Sequence, residues 1–236
     1  MASELDYQHI FLLPGFDGTG LLFQPMEQAL GYRCRTTTLP FDDEVTLEDY
    51  VESVNARLPS RNVILLAESF SGPIALSLLA RYPGRFDAAI LCATFASSPF
   101  GSVMGLSRWV MESFLGHKPL ENLLLNKFCA IGDVPNNVQH AVKTVENLIS
   151  PRIIKTRFNM IAGMNVTNLL SRISAPVLYL RALKDKLVSA PLREELFENI
   201  PQICLKEVNG PHLLLQCEPR VCVDAILNFL DMSGTK

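Results

Sequence analysis

The sequence predicts an α/β protein with a mostly parallel, doubly wound sheet of about six strands and a helical insertion. Three observations support this prediction. Short apolar runs recur along the 236 residues and end at turn residues, as strands buried on both faces of a parallel sheet do. Segments with helical periodicity lie between these runs, which indicates right-handed βαβ units. One long segment, 97–170, has helical patterns but no convincing strand.

Each predicted strand is an apolar or alternating run that leads into turn chemistry. The first run leads into Pro14 and Gly15, and the third leads into Glu68 and Ser69. Near-continuous apolar character favours burial on both faces of the sheet. The predicted strands are 8–13, 33–39, 62–67, 88–94, 176–182 and 203–208.

Outside the segment 97–170 four helices are predicted, three between strands and one after the last strand. In the first, Thr46 can cap the helix and Asp49 follows three residues later, close to a capping box. Apolar residues then recur at helical spacing, at Leu47, Tyr50, Val51, Val54 and Leu58. The second helix has Pro73 in its first turn, where a missing N–H is no loss. The predicted helices are 46–58, 71–82, 191–199 and 219–230.

The segment 97–170 is interpreted as a helical cap inserted into a core formed by 1–96 and 171–236. Its helical patterns are 103–115, 120–129, 138–149 and 151–162. Because the insertion opens at the end of a strand, we expect some of its apolar side chains to line a substrate pocket, with packing inside the insertion as the alternative. The candidates are Leu106, Trp109, Met111 and Phe114.

The composition is that of a globular protein. Hydrophobic residues make up 48% and charged residues 19%, and the formal net charge of −3 gives no basic surface for nucleic acid. The N-terminus lacks the pattern of a signal peptide, no run approaches 18 apolar residues, and the six cysteines form no C-x-x-C pair. We therefore expect a cytoplasmic protein with no transmembrane segment, metal or nucleic-acid partner, and the oligomeric state stays open.

The segment 67–72, AESFSG, lies between a predicted strand and a predicted helix. A nucleophile elbow places Ser on such a strained turn, with small residues two positions before and after it. Ser69 has Ala67 and Ser71 at those positions, so it is the candidate nucleophile, and a helix-capping serine is the alternative. The neighbouring Glu68 is expected either to hydrogen-bond beneath the turn or to tune the site.

Two further residues with catalytic side chains follow predicted strands later in the chain. Asp185 comes after the fifth strand and His212 after the sixth. Carboxyl ends of parallel strands meet at one edge of the sheet, where open α/β folds bind ligands. The order Ser, Asp, His along the chain is also that of α/β-hydrolase triads. Ser69, Asp185 and His212 are therefore predicted to act together.

The glycine-rich segment 13–20, LPGFDGTG, follows the first strand. Acyl transfer needs backbone N–H groups directed at the developing oxyanion. Gly15 allows a close approach to substrate, and the Phe16 N–H can face the Phe70 N–H, one residue past the nucleophile. A dinucleotide loop is the alternative, but the glycines at 15, 18 and 20 do not have its spacing.

These motifs, with GPHLLLQCEP around His212, make the chain resemble an α/β hydrolase with a helical cap. The LPGFDGTG and ESFSG segments are similar to the hydrolase module of phytyl-ester-synthase-like proteins and to short bacterial esterases. The resemblance implies the α/β-hydrolase fold. Two departures are that Pro14-Gly15 stands where that family usually has His-Gly, and that only about eight residues precede the first strand, so the two N-terminal strands of the full fold are expected to be missing.

The sequence thus predicts a serine carboxylesterase that acts through an acyl-enzyme on a small apolar ester, without a cofactor. Ser69 is the nucleophile, His212 the base and Asp185 its orienting acid, while Phe16 and Phe70 supply the oxyanion hole. An acyltransferase would use the same residues with an alcohol or thiol in place of water. A lyase, a cofactor-free oxygenase and a ligand-binding protein that keeps the triad are further alternatives on this fold.

Overall fold

A computed structural model describes residues 8–99 and 134–234, and these are the residues discussed below. Six strands form one sheet in the order β2-β1-β3-β4-β5-β6, and every pairing is parallel. The sequence prediction of a parallel, doubly wound sheet is confirmed. The strands are β1 (His9–Leu13), β2 (Arg35–Thr38), β3 (Val63–Glu68), β4 (Phe86–Cys92), β5 (Val177–Ala182) and β6 (Ile203–Val208).

Helices cover both faces of the sheet. In β3 the side chains of Val63 and Leu65 belong to one buried cluster, and those of Ile64 and Leu66 belong to the other. This alternation follows from the two-residue period of a strand and explains why the strand is apolar from Val63 to Ala67. The helices are α1 (Gln24–Leu30), α2 (Leu47–Arg57), α3 (Gly72–Arg81), α4 (Asn136–Glu146), α5 (Pro151–Ala162), α6 (Ala190–Asn199), α7 (Leu214–Cys217) and α8 (Pro219–Met232).

The helix starts follow the local chemistry of the sequence. The Thr46 hydroxyl accepts from the Asp49 N–H (3.2 Å), and the Asp49 carboxylate accepts from the Thr46 N–H (2.8 Å), so the capping box at α2 is confirmed. At α5 the Ser150 hydroxyl accepts from the Ile153 N–H (3.3 Å). These side chains satisfy N–H groups that lack partners within the helix.

Between β4 and β5 the structure describes α4, α5 and a 3₁₀ turn over Thr167–Arg172. The segments predicted as helices at 103–115 and 120–129 lie outside the described residues. The proposed pocket residues Leu106, Trp109, Met111 and Phe114 lie there as well. Among the helices that are described, none has the length and apolar character needed to cross a bilayer.

Candidate active site

Ser69 lies in a strained turn directly after β3. Its φ of +49° falls in the left-handed region, which costs a residue with a side chain on the order of 1–3 kcal/mol. The turn is held from two sides. The Thr94 hydroxyl donates to the Ser69 carbonyl, and the Ser71 hydroxyl donates to the Leu13 carbonyl at 2.8 Å. Gly72 is needed here because a Cβ at that position would collide with the Thr94 side chain.

A continuous chain of hydrogen bonds joins Ser69, His212 and Asp185. With the proton of neutral His212 on Nδ1, the ring donates to Asp185 Oδ2 (2.9 Å), and Nε2 accepts from the Ser69 hydroxyl (2.8 Å). The other carboxylate oxygen of Asp185 accepts from the N–H groups of Leu187 (2.7 Å) and Val188 (3.1 Å). The structure thus brings together three residues that follow β3, β5 and β6 and that the sequence predicted to meet.

The charges around these hydrogen bonds raise the pKa of the His212 imidazole. Burial alone would lower the pKa of His212, but the charge and hydrogen bond of Asp185, with a smaller effect of Glu68, raise it above its usual value. Burial would raise the pKa of Asp185, but His212 and the two backbone N–H donors outweigh it, so that pKa is lowered. Asp185 therefore stays ionised at neutral pH and can stabilise an imidazolium.

The segment after β1 forms a tight loop beside Ser69. The Gly18 N–H donates to the Gly15 carbonyl (3.0 Å), which closes a turn. The Asp17 carboxylate accepts from the N–H (2.8 Å) and hydroxyl (2.5 Å) of Thr19. Among the described residues, no acceptor is paired with the Phe16 N–H. That N–H is therefore available to a ligand, as an oxyanion donor must be.

The rings of Phe16 and Phe70 meet edge to face, with centroids 6.0 Å apart. Phe16 also packs on Phe158 of α5 at 4.7 Å. The sequence predicts that the N–H groups of Phe16 and Phe70 face each other; the structure shows that the rings of these two residues are in contact. Their function as oxyanion donors stays a prediction.

Phe16→Ala is expected to alter substrate fit more than chemistry, because the backbone N–H remains. Loss of an oxyanion donor costs about 10²–10³ in kcat. The effect of Phe16→Ala should be smaller than that and should appear mainly in KM. Steady-state kinetics on one ester measure both constants. A fall in kcat as large as that of Ser69→Ala would contradict this interpretation of the loop.

Glu68 is a buried carboxyl beneath the site. Its side chain is 4% exposed, and its Oε2 accepts from Gln216 Nε2 at 3.2 Å. Glu68 Oε1 and Gln216 Oε1 have no partner among the described residues. Burial raises the pKa of Glu68 to about 7, with Gln216 and His212 acting against the shift and Asp17 adding to it. Glu68 therefore changes charge near neutral pH, close to the nucleophile.

Glu68→Gln is expected to stabilise the protein above about pH 7. The folded state binds the Glu68 proton more tightly than the unfolded chain, so this group favours folding below its ordinary pKa of 4.5, and that contribution is lost as pH rises through about 7. A glutamine is uncharged throughout and can donate to the unpaired Gln216 oxygen. The gain of Glu68→Gln over wild type in free energy of unfolding should grow from about pH 4.5 to about pH 7, towards a limit of about 3 kcal/mol.

The measurement is the free energy of unfolding of both proteins at several pH values on either side of this window. The comparison variant is Glu146→Gln. Burial also raises the pKa of Glu146, but this carboxyl is less buried than Glu68. A stability difference between Glu68→Gln and wild type that does not change with pH would mean that Glu68 keeps one charge state.

A cleft of about 60 Å³ opens beside Ser69 and His212. Gly15, which the sequence assigned to substrate binding, lines it together with Phe16. Helix α4 supplies one wall through Val142, Val145 and Glu146, which the sequence analysis did not single out although their spacing of three and four is that of a helical face. Ile149, just after the helix, extends this wall. The lining residues are Gly15, Phe16, Asp17, Leu22, Glu68, Ser69, Val142, Val145, Glu146, Ile149, His212 and Leu213.

The parallel sheet and the strand-to-helix turn at Ser69 are those of an α/β hydrolase. Residues 40–213, about three quarters of the chain, match the family described as "Serine aminopeptidase, S33". The chain belongs to this family of α/β hydrolases, which confirms the resemblance noted from the sequence.

Individual relatives are more distant. The chain is 26% identical, over 251 aligned residues, to phytyl ester synthase 1 (chloroplastic) of Arabidopsis thaliana. That alignment covers 89% of this chain and 35% of the relative, so the chain spans about a third of the length of this curated protein. Among solved structures it is similar to an esterase from Exiguobacterium antarcticum (TM-score 0.82, 16% identity, 95% of this chain and 92% of that one). An enol-lactonase from Burkholderia xenovorans is similar too (TM-score 0.79, 17% identity, 96% and 92%). At these identities the likeness to solved structures shows the shared fold.

Proposed function

We propose that the protein is a serine carboxylesterase acting on apolar esters. The observation that carries the proposal is the hydrogen-bonded chain from Ser69 Oγ through His212 to Asp185, with Ser69 at a positive φ at the edge of the cleft. A serine with an oriented imidazole at this distance is an activated nucleophile. Membership of a serine hydrolase family and the available Phe16 N–H support the same assignment.

In the proposed mechanism the Ser69 oxygen attacks the acyl carbon while His212 Nε2 takes the hydroxyl proton. Asp185 stabilises the imidazolium that forms, and the Phe16 and Phe70 N–H groups hold the tetrahedral oxyanion. The imidazolium then gives its proton to the leaving alcohol, which departs and leaves an acyl-serine. Water, deprotonated by His212, attacks the acyl-serine, and loss of the carboxylic acid restores the Ser69 hydroxyl. Every step uses groups of the chain and water.

The proposed substrate is an ester with an apolar acyl chain. Leu22, Val142, Val145 and Ile149 give the cleft an apolar wall, and α4 belongs to the segment 97–170 that we propose as the cap. Each methylene that moves from water into such a wall contributes about 0.8 kcal/mol. Esters with longer acyl chains should therefore be preferred over acetyl esters until the cleft is full.

A panel of p-nitrophenyl esters from acetyl to palmitoyl, run on wild type and Ser69→Ala, tests the proposal. We expect kcat/KM to rise about threefold to fourfold for each added methylene at first, and Ser69→Ala to be inactive on every ester. A kcat/KM that does not change with acyl-chain length would mean that the apolar wall serves packing and does not bind the acyl chain. Turnover by wild type no faster than by Ser69→Ala would favour the ligand-binding alternative. Aminoacyl p-nitroanilides in the same assay test the peptidase activity that the family description names.

Acyl transfer is the second candidate function. The observation that favours it is the similarity to a phytyl ester synthase over 89% of this chain. The acyl-serine would be the same, and an alcohol would replace water in the second half of the reaction. Product analysis with a long-chain alcohol separates the two activities. Ester formation that exceeds release of free acid would assign the protein as a transferase.

A further inference from the structure

Arg157 of α5 is the largest fully buried side chain among the described residues. Arginine is seldom buried to this degree unless its charge is compensated, because removing a cation from water is costly. Within the described part of the chain no carboxylate forms an ion pair with it. Among the described residues, groups other than carboxylates therefore compensate the charge of Arg157.

The compensation comes from the loop beside Ser69. Arg157 Nη1 donates to the carbonyls of Phe16 (2.8 Å) and Asp17 (2.7 Å), and Nε donates to the Tyr50 hydroxyl (3.1 Å). The guanidinium also lies over the rings of Phe41 and Phe70, 5.9 and 5.8 Å from their centroids. Charge-assisted hydrogen bonds of this kind are stronger than neutral ones, so the two carbonyls are fixed in direction.

The loop after β1 lies in close contact with the Arg157 guanidinium. Gly18 has a φ of +71°, and a Cβ at this position would collide with the Arg157 side chain. The Phe16 carbonyl that accepts from Arg157 belongs to the residue whose N–H is the predicted oxyanion donor and has no acceptor among the described residues. Holding that carbonyl therefore limits rotation of Phe16 and with it the direction of its N–H.

We propose that Arg157 is a positioning residue that holds the loop after β1 so that the Phe16 N–H points at the oxyanion. The proposal rests on the proposed function, since it assumes an acyl-transfer step at Ser69. It assigns to α5 a part in positioning the oxyanion donor, whereas the sequence analysis considered only substrate choice and packing for the segment 97–170. Arg157 acts through the loop and does not touch the reacting atoms.

The test compares Arg157→Met, which keeps the length and removes every donor, with Ile161→Ala. Ile161 lies on the same helix, is buried in the main core and makes none of the contacts described for Arg157, so its replacement reports lost packing of α5. For Arg157→Met we expect kcat to fall about 10²-fold, the cost of a misdirected donor, with KM changed less than about threefold. Affinity for a trifluoromethyl ketone, which forms an oxyanion on Ser69, should fall by the same factor as kcat/KM. Ile161→Ala should keep the wild-type kcat.

Hydrogen exchange of the amides in residues 13–20 provides a readout that does not need activity. Exchange should be faster in Arg157→Met than in wild type and unchanged in Ile161→Ala. Equal kcat for Arg157→Met and Ile161→Ala, in a wild type that hydrolyses esters, would overturn the proposal and leave the proposed function intact. A wild type without ester turnover whose loop exchange still depends on Arg157 would overturn the proposed function and keep the contact.

Arg157→Lys covers the case in which Arg157→Met does not fold. One ammonium cannot serve both carbonyls and the Tyr50 hydroxyl with the geometry of the guanidinium. A kcat reduced at least about tenfold, with KM nearly unchanged, supports the proposal. A folded Arg157→Lys protein with wild-type kcat and wild-type loop exchange overturns it.

Discussion

Ser69→Ala and His212→Ala should each lower kcat by about 10³- to 10⁶-fold, and the double variant should be little worse than either. The reason for this non-additivity is that the hydroxyl and the imidazole act as one unit through their 2.8 Å hydrogen bond. Without the base the serine is a weak nucleophile, and without the serine the base has no proton to take. The measurement is kcat on the best ester of the panel, with the concentration of folded protein determined separately.

Fluorophosphonate labelling supplies a second measurement for the same variants. Wild type should be labelled at Ser69, and both variants should be inert. Ser77→Ala is the matched control, because it removes a buried serine hydroxyl of α3 that donates to the Pro73 carbonyl (2.8 Å) and takes no part in the Ser69–His212 contact. Near-wild-type turnover by Ser69→Ala or His212→Ala would show that the chemistry takes place elsewhere.

Asp185→Asn should reduce kcat severely, by up to about 10⁴-fold, the loss measured for this change in a serine protease with the same constellation. An asparagine amide facing His212 Nδ1 favours the proton on Nε2, so the ring can no longer accept from Ser69. The charge of Asp185 also raises the pKa of His212. Without that charge burial dominates, and the acidic limb of the residual activity should move to lower pH.

Circular dichroism and thermal melting separate this outcome from simple unfolding. Asp185 also accepts from the N–H groups of Leu187 and Val188, and an asparagine oxygen can keep those bonds. The variant should therefore fold with a stability close to that of wild type. A folded protein with a wild-type pH profile would remove Asp185 from the mechanism.

The fold was largely predictable because its determinants are local. Apolar or alternating runs of six or seven residues that lead into turns defined all six strands, and Thr46 with Asp49 defined the start of α2. Two described helices were missed. Helix α1 has only 7 residues, too few to show a periodicity, and α7 has only 4, most of them buried, so it has no polar face to contrast with an apolar one.

The site was predictable only where it depends on chain order. Ser69, Asp185 and His212 each follow a strand, and parallel strands bring their carboxyl ends to one edge. Arg157 gave no signal, because a lone arginine in a helix ordinarily faces solvent. Glu68 and Gln216 are separated by 148 positions in the sequence, and no local pattern predicts their contact. Both features depend on packing between distant segments, which a single sequence does not reveal.

The distribution of the site over β3, β5 and β6 has a consequence for synthesis of the protein. Ser69 leaves the ribosome before His212, which follows β6, the last described strand. Parallel strands pair over long sequence separations and close slowly. On the proposed function, a chain in which β6 is not yet paired presents a Ser69 hydroxyl of ordinary reactivity, because His212 is not in place. The rate at which Ser69 becomes open to fluorophosphonate during refolding would therefore time the docking of β6.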